Sequence, residues 1–290
     1  MRRCLGCAAT LRDDGWACMN CGFAPSMIDG VPVLAPELAG GNPADAAYAY
    51  QDLRDAEERH FWFTSRHRLI AWAIRRYFPD ARTFFDVGCG TGGVLAALRP
   101  ILPRLRFSAG DALIAGLAFA KAQLPDVSFV QIDLRRLPFE CEFDLFGAFD
   151  VLEHLDDDGL ALREMFRSTK PGGGVILTVP QHQFLWSALD DYSHHRRRYR
   201  RRDLIDKVKG AGYHVLRATS FMTLTMPLQL LSRARQQNAA TLDPAGEMRL
   251  NPAVNATLAT MCAAERAAVR AGVSFPFGGS LLVVAGRPSS

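Results

Sequence analysis

The sequence predicts an α/β protein built on a doubly wound, mostly parallel sheet, preceded by a small four-cysteine module. Three observations carry that prediction. Short apolar runs alternate with helical patterns between about residues 82 and 179, as successive strand–helix–strand units require. The first run, Phe84-Phe85-Asp86-Val87, passes directly into Gly88-Cys89-Gly90-Thr91-Gly92-Gly93 and then into a helical Val94-Leu95-Ala96-Ala97-Leu98. Later runs end in Asp111, Asp133 and Asp150, which with Asp86 puts four acids at the carboxyl edge of the sheet, where such folds bind ligands.

Composition sets the outer bounds. At 290 residues, 49% of them apolar, the chain can bury a substantial core in one large domain or about two. A net charge of +4 does not by itself imply nucleic acid. No apolar run follows Met1-Arg2-Arg3 as in a signal peptide, and the apolar stretch from Phe221 to Leu231 is too short and interrupted to span a bilayer. The expectation is a cytoplasmic protein without a transmembrane segment, its thiols kept reduced.

The first element is a ribbon over residues 1–36. Cys4, Cys7, Cys18 and Cys21 form two C-x2-C pairs around a ten-residue spacer, each pair offering two thiolates to one side of a tetrahedral ion. Two disulfides or a redox pair are the alternatives. The reducing compartment argues against the first, and the lack of a strand–helix context against the second. Structural Zn2+ is the expected ligand, with no open position for catalysis. Met27 to Leu34 reads as a hairpin turning at Asp29-Gly30.

Residues 37–80 read as a linker and amino-terminal helices. Pro36 to Ala46 has linker composition, and Tyr48 to Tyr77 is helical until Pro79 ends it. Phe61, Trp62 and Phe63 there suit either core packing or a lid over a cleft. Residues 81–290 form the main domain. After the glycine turn, strands are expected at Leu105–Gly110, Val127–Ile132, Phe143–Phe149, Val175–Val179, Tyr213–Thr219 and Ser280–Val284. Asp203 to Ala211 reads as a helix closed by Gly212, and Pro252 to Ala271 as another. An insertion at residues 181–200 follows the fifth strand of this domain.

The glycine turn brings backbone close to a ligand, and its Gly88-x-Gly90-x-x-Gly93 spacing also fits a dinucleotide site. Asp86 decides between them. Its carboxylate repels a pyrophosphate and attracts an amino acid's ammonium group. Asp-x-Gly-x-Gly-x-Gly resembles the first motif of class I S-adenosylmethionine (SAM) dependent methyltransferases, and the ordered acids extend that resemblance over residues 82–179. It implies a Rossmann-like, seven-stranded methyltransferase sheet with SAM as cofactor. The cofactor-binding set is then Asp86, Gly88, Cys89, Gly90, Gly92, Asp111 with Ala112, Asp133 with Leu134, and Asp150. Asp111 suits the ribose hydroxyls and Asp133 the adenine amino group.

The ribbon with Asp-Gly-Val-Pro-Val-Leu resembles the small zinc-binding activator subunit of tRNA and protein methyltransferases, here fused in cis. It also resembles the ribbon of bacterial rRNA guanine methyltransferases. "Asp...His-x-Arg-Arg-Tyr", with Pro-Phe-Gly-x-Ser near the end, resembles bacterial methyltransferases acting on small molecules or saccharides. The implied activity is methyl transfer to an O or N atom of such an acceptor.

That chemistry needs a group to take a proton from the acceptor. His154 after the fourth strand and His195 in the insertion are the candidates, with Tyr199 beside them. Each histidine has a bland alternative, His154 as a helix cap and His195 bonded to a carbonyl. Six arginines lie between His194 and Arg202. A solvated face is the ordinary reading of such a run. The tyrosine and histidines that interrupt it favour a pocket instead, with His195, Arg198 and Tyr199 lining the acceptor site and Arg200 to Arg202 facing water. A forked guanidinium suits an acceptor carrying an anionic group. A metal at Glu153 and His154 is disfavoured, because adjacent residues on a helix face apart.

Two other functions stay open. One is an RNA methyltransferase gripping phosphates with the ribbon and the arginines. Against it, the fourth strand lacks the Asn-Pro-Pro-Tyr or Asp-Pro-Pro-Tyr expected for methylation of base amino groups. The other is a catalytically silent SAM-binding regulatory subunit. Nothing in the sequence opposes a homodimer.

Overall fold

Phe84 and Phe85 are adjacent, fully buried, and packed on opposite faces of one sheet. The computed structural model describes residues 1–11, 15–40, 43–235 and 249–289. Nine strands form the sheet: β1 (Ser26–Ile28), β2 (Val31–Val33), β3 (Thr83–Val87), β4 (Arg106–Asp111), β5 (Ser128–Gln131), β6 (Phe143–Phe149), β7 (Thr169–Pro180), β8 (His214–Phe221) and β9 (Ser280–Gly286). Their order is β1-β2-β5-β4-β3-β6-β7-β9-β8. From β2 to β7 all pairings are parallel, and β9 runs antiparallel between β7 and β8.

Helices cover both faces, because apolar side chains alternate along each strand. Phe84 packs with residues of α2 (Phe61–Tyr77), α3 (Gly93–Leu98), α4 (Ile114–Gln123) and α9 (Pro252–Arg270). Phe85 packs with Phe139, Phe143 and Phe146, and with residues of α5 (Asp158–Ser168) and α7 (Arg201–Gly210). Each such phenylalanine contributes about 1.5–3 kcal/mol by leaving water. The other α-helices among the described residues are α1 (Pro43–Arg59), α6 (Ala188–Tyr192) and α8 (Met226–Arg235). No helix among the described residues is long and apolar enough to cross a membrane.

The seven strands β3 to β9 are the expected sheet, and the ribbon adds two more. The hairpin β1–β2 docks on the β5 edge, where Val33 pairs with Gln131. Gln131 is fully buried, and its side-chain amide bonds both the N–H and the C=O of Ala35 and also the C=O of Ala112. Arg2 bridges to Phe139, Arg3 N–H donates to Pro138, and Arg3 Nε bonds Glu140 at 2.5 Å. The ribbon is thus an extension of the sheet.

Three expected elements differ. The single helix to Tyr77 is two, broken at His60, whose Nδ1 accepts from the N–H of Trp62 and caps α2. Asn255 of α9 holds the break open, accepting from Phe61 N–H and donating to Arg59 C=O. The linker is shorter than its composition suggested, since α1 already begins at Pro43 in an alanine-rich stretch that favours helix. Strand β7 runs back through Gly172 to Gly174, where a Cβ on Gly174 would strike the Phe78 ring and the Ala285 carbonyl.

Candidate active site

The carboxyl ends of β3, β4 and β6, with the segment after β5, open into a cleft of about 540 Å3, lined among others by Gly88, Asp111, Asp133, Asp150, His154 and Arg196. That is an ordinary volume for a small-molecule site. A larger cleft of about 1240 Å3 lies at the opposite, amino end of the strands and contains none of the glycine turn. Open α/β sheets bind ligands at carboxyl ends, so the smaller cleft is the candidate.

Gly88 of the glycine turn forms part of its wall. Gly88 and Gly90 adopt left-handed φ of +68° and +50°. A Cβ on Gly88 would meet Val151 at 2.5 Å, whereas one on Gly90 meets no protein atom within 4 Å. Gly90 therefore has open space on that side of the turn. Its N–H donates to Asp111 Oδ2 at 2.9 Å, and Leu113 N–H donates to Asp111 Oδ1 at 2.9 Å. Ala112 and Leu134 also line the cleft. Gly92 caps α3 in a left-handed conformation. Cys89 is buried, and burial together with Asp111 and Asp86 pushes its thiol well up, so it is packing and not a nucleophile.

Asp86 is 1% exposed, and its Oδ2 has no hydrogen-bond partner. Burial pushes its carboxyl well above the usual range; Arg66 opposes this, and Asp111 and Glu57 add to it. An orphaned acidic oxygen beside a glycine turn fits an incoming ammonium group, which would supply the missing donor. The residues present therefore fit the methionine end of SAM.

Other acids in the cleft are already partnered. Asp133 is held by Arg135 through Nε and Nη2; burial would raise its carboxyl, but these bonds overcome it and hold it low. Asp150 is paired with Arg66 and also accepts from Thr178. Arg66, buried beside Asp150, is a residue to which sequence reasoning assigns no role. Its guanidinium lies 4.5 Å from the Trp62 ring and 5.4 Å from that of Phe63, so those two aromatics cage a cation while Phe61 joins the core. Glu57 of α1 accepts from Thr91 at 2.5 Å and sits over Gly93.

His154 and His195 come together, with ring centroids 4.8 Å apart and edge to face. Reduced hydration and then the second ring press the His154 pKa down. His195 Nδ1 lies 2.9 Å from Asp190, which also takes Nε and Nη2 of Arg198 at 2.8 and 2.9 Å. Burial would raise Asp190; the bonds from His195 and Arg198 overcome it and hold its carboxyl well below the usual range.

Two expected acceptor-site residues and one expected water-facing residue are corrected by this geometry. Tyr199 is 3% exposed and its hydroxyl donates to Asp158 at 2.6 Å; burial and that bond push its pKa far up, so it is a structural phenol. Arg198 is buried on Asp190 and does not line the cleft; Arg196 does. Arg201 is not a water-facing residue, because it donates to the carbonyls of Ala218 and Phe275. Arg200 and Arg202 are exposed as expected.

In the ribbon, the Cys4–Cys21 and Cys7–Cys18 sulfurs are each 3.6 Å apart and all four lie within 4.8 Å of one another. Tetrahedral Zn–S bonds of about 2.3 Å place sulfurs roughly 3.8 Å apart, so the four thiols fit a zinc ion. The Asn20 amide beside Cys7 lowers its thiol to about 6.

Residues 85–177 match the family described as a methyltransferase domain. Trans-aconitate 2-methyltransferase of Azoarcus sp. is 34% identical over 102 residues, 35% of this chain and 40% of that protein. That of Deinococcus radiodurans is 33% identical over 156 residues, 53% of this chain and 52% of that protein. Ubiquinone biosynthesis O-methyltransferase of Pseudomonas putida is 30% identical over 119 residues, 38% of this chain and 49% of that protein. The chain thus spans about half the length, or less, of these relatives. Among solved structures, a chain from the complex of the Haloferax volcanii Trm112 methyltransferase activator with a methyltransferase superposes with TM-score 0.55 at 23% identity, covering 84% of this chain and 96% of that one. The [4+2]-cyclase SpnF superposes with TM-score 0.52 at 20% identity, covering 77% of this chain and 82% of that one. At such identities the likeness is one of fold.

Proposed function

We propose that the chain, whose residues 85–177 match a methyltransferase-domain family, is a SAM-dependent methyltransferase acting on an O or N atom of a small acceptor that carries an anionic group. The orphaned Asp86 carboxylate beside the open face of Gly90 is the observation that carries this reading. Asp86 receives the ammonium group, Asp111 the ribose, and Asp133 the adenine edge. Bound there, the sulfonium supplies an electrophilic methyl group. The S–C bond would break as the bond to the acceptor forms, its electron pair being left on sulfur.

The acceptor enters at the His154 end of the cleft, where the exposed Arg196 offers a guanidinium to a carboxylate or phosphate, while the Arg135 fork is held by Asp133. The His154–His195 pair stands where the acceptor's proton must leave. The curated relatives named above are methyltransferases of a carboxylic acid and of a quinone precursor pathway by name, which agrees with a small acceptor. RNA gripping is disfavoured by the fate of the arginine run, since Arg197, Arg198 and Arg201 are spent on Asp158, Asp190 and backbone carbonyls.

The ribbon, holding structural Zn2+ on Cys4, Cys7, Cys18 and Cys21, serves as a built-in activator. It covers the β5 edge and steadies the cleft through the Gln131 bonds to Ala112, while Leu38 just beyond it lines the cleft directly. The test is methyl transfer from labelled SAM to an array of carboxylated, phosphorylated and sugar acceptors, run beside structured RNA. Label in a small acceptor supports the reading; label confined to RNA refutes it.

A further inference from the structure

Adjacent residues on an α-helix face apart, and the sequence therefore argued against a metal at Glu153 and His154. The structure nonetheless brings their ligand atoms within reach of one another. Leu152 to His154 form a single 3-10 turn, and the chain after α6 folds back onto it, with Arg196 N–H donating to the Glu153 carbonyl at 2.7 Å. The fold brings a third donor from 41 residues away in sequence, since His195 reaches His154. One ligand atom each from Glu153, His154 and His195 lies within 4.8 Å of the others, and His195 Nε2 is 4.0 Å from Glu153 Oε1.

We propose that Glu153, His154 and His195 form a divalent-cation site beside the cleft that His154 lines, taking a first-row ion such as Mn2+, Co2+, Fe2+ or Zn2+. Two imidazoles and one carboxylate are a donor set for such ions, and three protein ligands leave positions open, unlike the closed four-cysteine ribbon. Glu153 is 0% exposed and neither of its carboxylate oxygens has a hydrogen-bond partner. A buried carboxylate with both oxygens unmet calls for a cation.

The second argument is the support behind His195. Its Nδ1 is fixed by Asp190, which is fixed in turn by Arg198 and by the Ser187 N–H and hydroxyl. A metal-binding histidine is held in this way, its far nitrogen bonded to a carboxylate so that the other presents its lone pair. Here the presented atom is Nε2, the one facing Glu153. Ligands about 2.1 Å from an ion are at most roughly 4.2 Å apart, so small side-chain rotations close the site.

The site deepens the methyltransferase reading and rests on it only for what fills the open positions. An acceptor oxygen bound to the ion would be acidified there, so the His154–His195 pair would ease the loss of the acceptor's proton through the ion it holds. That favours acceptors with two adjacent oxygens, such as a hydroxycarboxylate or a vicinal diol.

The test is ion binding in the absence of SAM and acceptor. Full-length protein with its ribbon zinc in place is titrated with Mn2+, following free Mn2+ by electron paramagnetic resonance, and with Co2+, following visible absorption. One further ion per chain is expected, with cobalt bands of nitrogen and oxygen ligation and no thiolate charge transfer. Glu153→Gln and His195→Ala should each weaken Mn2+ binding at least tenfold, and Asp190→Asn by about ten- to a hundredfold, with circular dichroism confirming the fold. Absence of any saturable ion beyond the ribbon zinc overturns the proposal, as does unchanged binding in folded Glu153→Gln and His195→Ala. A separate SAM titration keeps the two readings apart, since failure to bind SAM removes the methyltransferase reading and leaves the ion result standing.

Discussion

His195 and Arg198 share one acid: Asp190 holds the His195 ring by Nδ1 at 2.9 Å and the Arg198 guanidinium by two bonds at 2.8 and 2.9 Å. Asp190 is 1% exposed and the Arg198 side chain 5%. Removing one partner of such a buried pair leaves the other charge unmet, which costs about 3–5 kcal/mol. Asp190→Ala should lose stability of that order in urea unfolding. A loss below about 1 kcal/mol, as for an exposed pair, would show that the network is not what orders this loop.

Asp86→Asn separates function from stability. The buried carboxylate has an unmet oxygen, so the amide should leave stability unchanged or higher. Loss of a charge-assisted partner for an ammonium group should weaken SAM binding by roughly 1.5–3 kcal/mol, about ten- to a hundredfold. Calorimetry showing wild-type affinity would remove Asp86 from the cofactor site.

Much of the sheet was legible, because parallel strands buried on both faces announce themselves as apolar runs with acids at their ends. Phe143–Phe149 has the expected bounds, and the glycine turn lies where its spacing put it. The arginine run was not legible. Whether Arg197 and Arg198 face a ligand or an internal acid depends on Asp158, 39 residues from Arg197, and on Asp190, 8 residues from Arg198, and no local pattern encodes that. The break at His60 was equally hidden, because it is held by Asn255 from the far end of the chain.

Metal analysis should return one zinc per chain from the ribbon. Cys4→Ser should abolish it and lower the melting temperature, since zinc binding and ribbon folding are one free energy. SAM binding should persist but weaken, because β3, β4 and β6 do not depend on the ribbon while Ala112 is tied to it through Gln131. Zinc-free protein with an unchanged melting temperature would argue against a structural metal.

Asp158 sets an acid limit on stability. Burial would raise its carboxyl, but bonds from Lys207 and Tyr199 overcome it and hold it below 3.8, the ordinary value. A depressed folded pKa stabilises fully above the unfolded value, and the contribution is lost as pH falls through the folded value. The stability gap between wild type and Asp158→Asn should therefore be widest near neutrality and shrink below about pH 4. Denaturant melts at pH 7 and pH 3 check this, and a gap that widens in acid would reverse the sign.

The central claim is that SAM lies against the open face of Gly90 with Asp111 on its ribose. Calorimetric titration of SAM into wild type, Gly90→Val and Asp111→Ala tests it, with melting curves confirming that the variants fold. The account predicts saturable one-to-one binding by wild type, none detectable in Gly90→Val, and a marked loss in Asp111→Ala. Wild-type affinity in a folded Gly90→Val, or no binding by the unaltered protein, would contradict it.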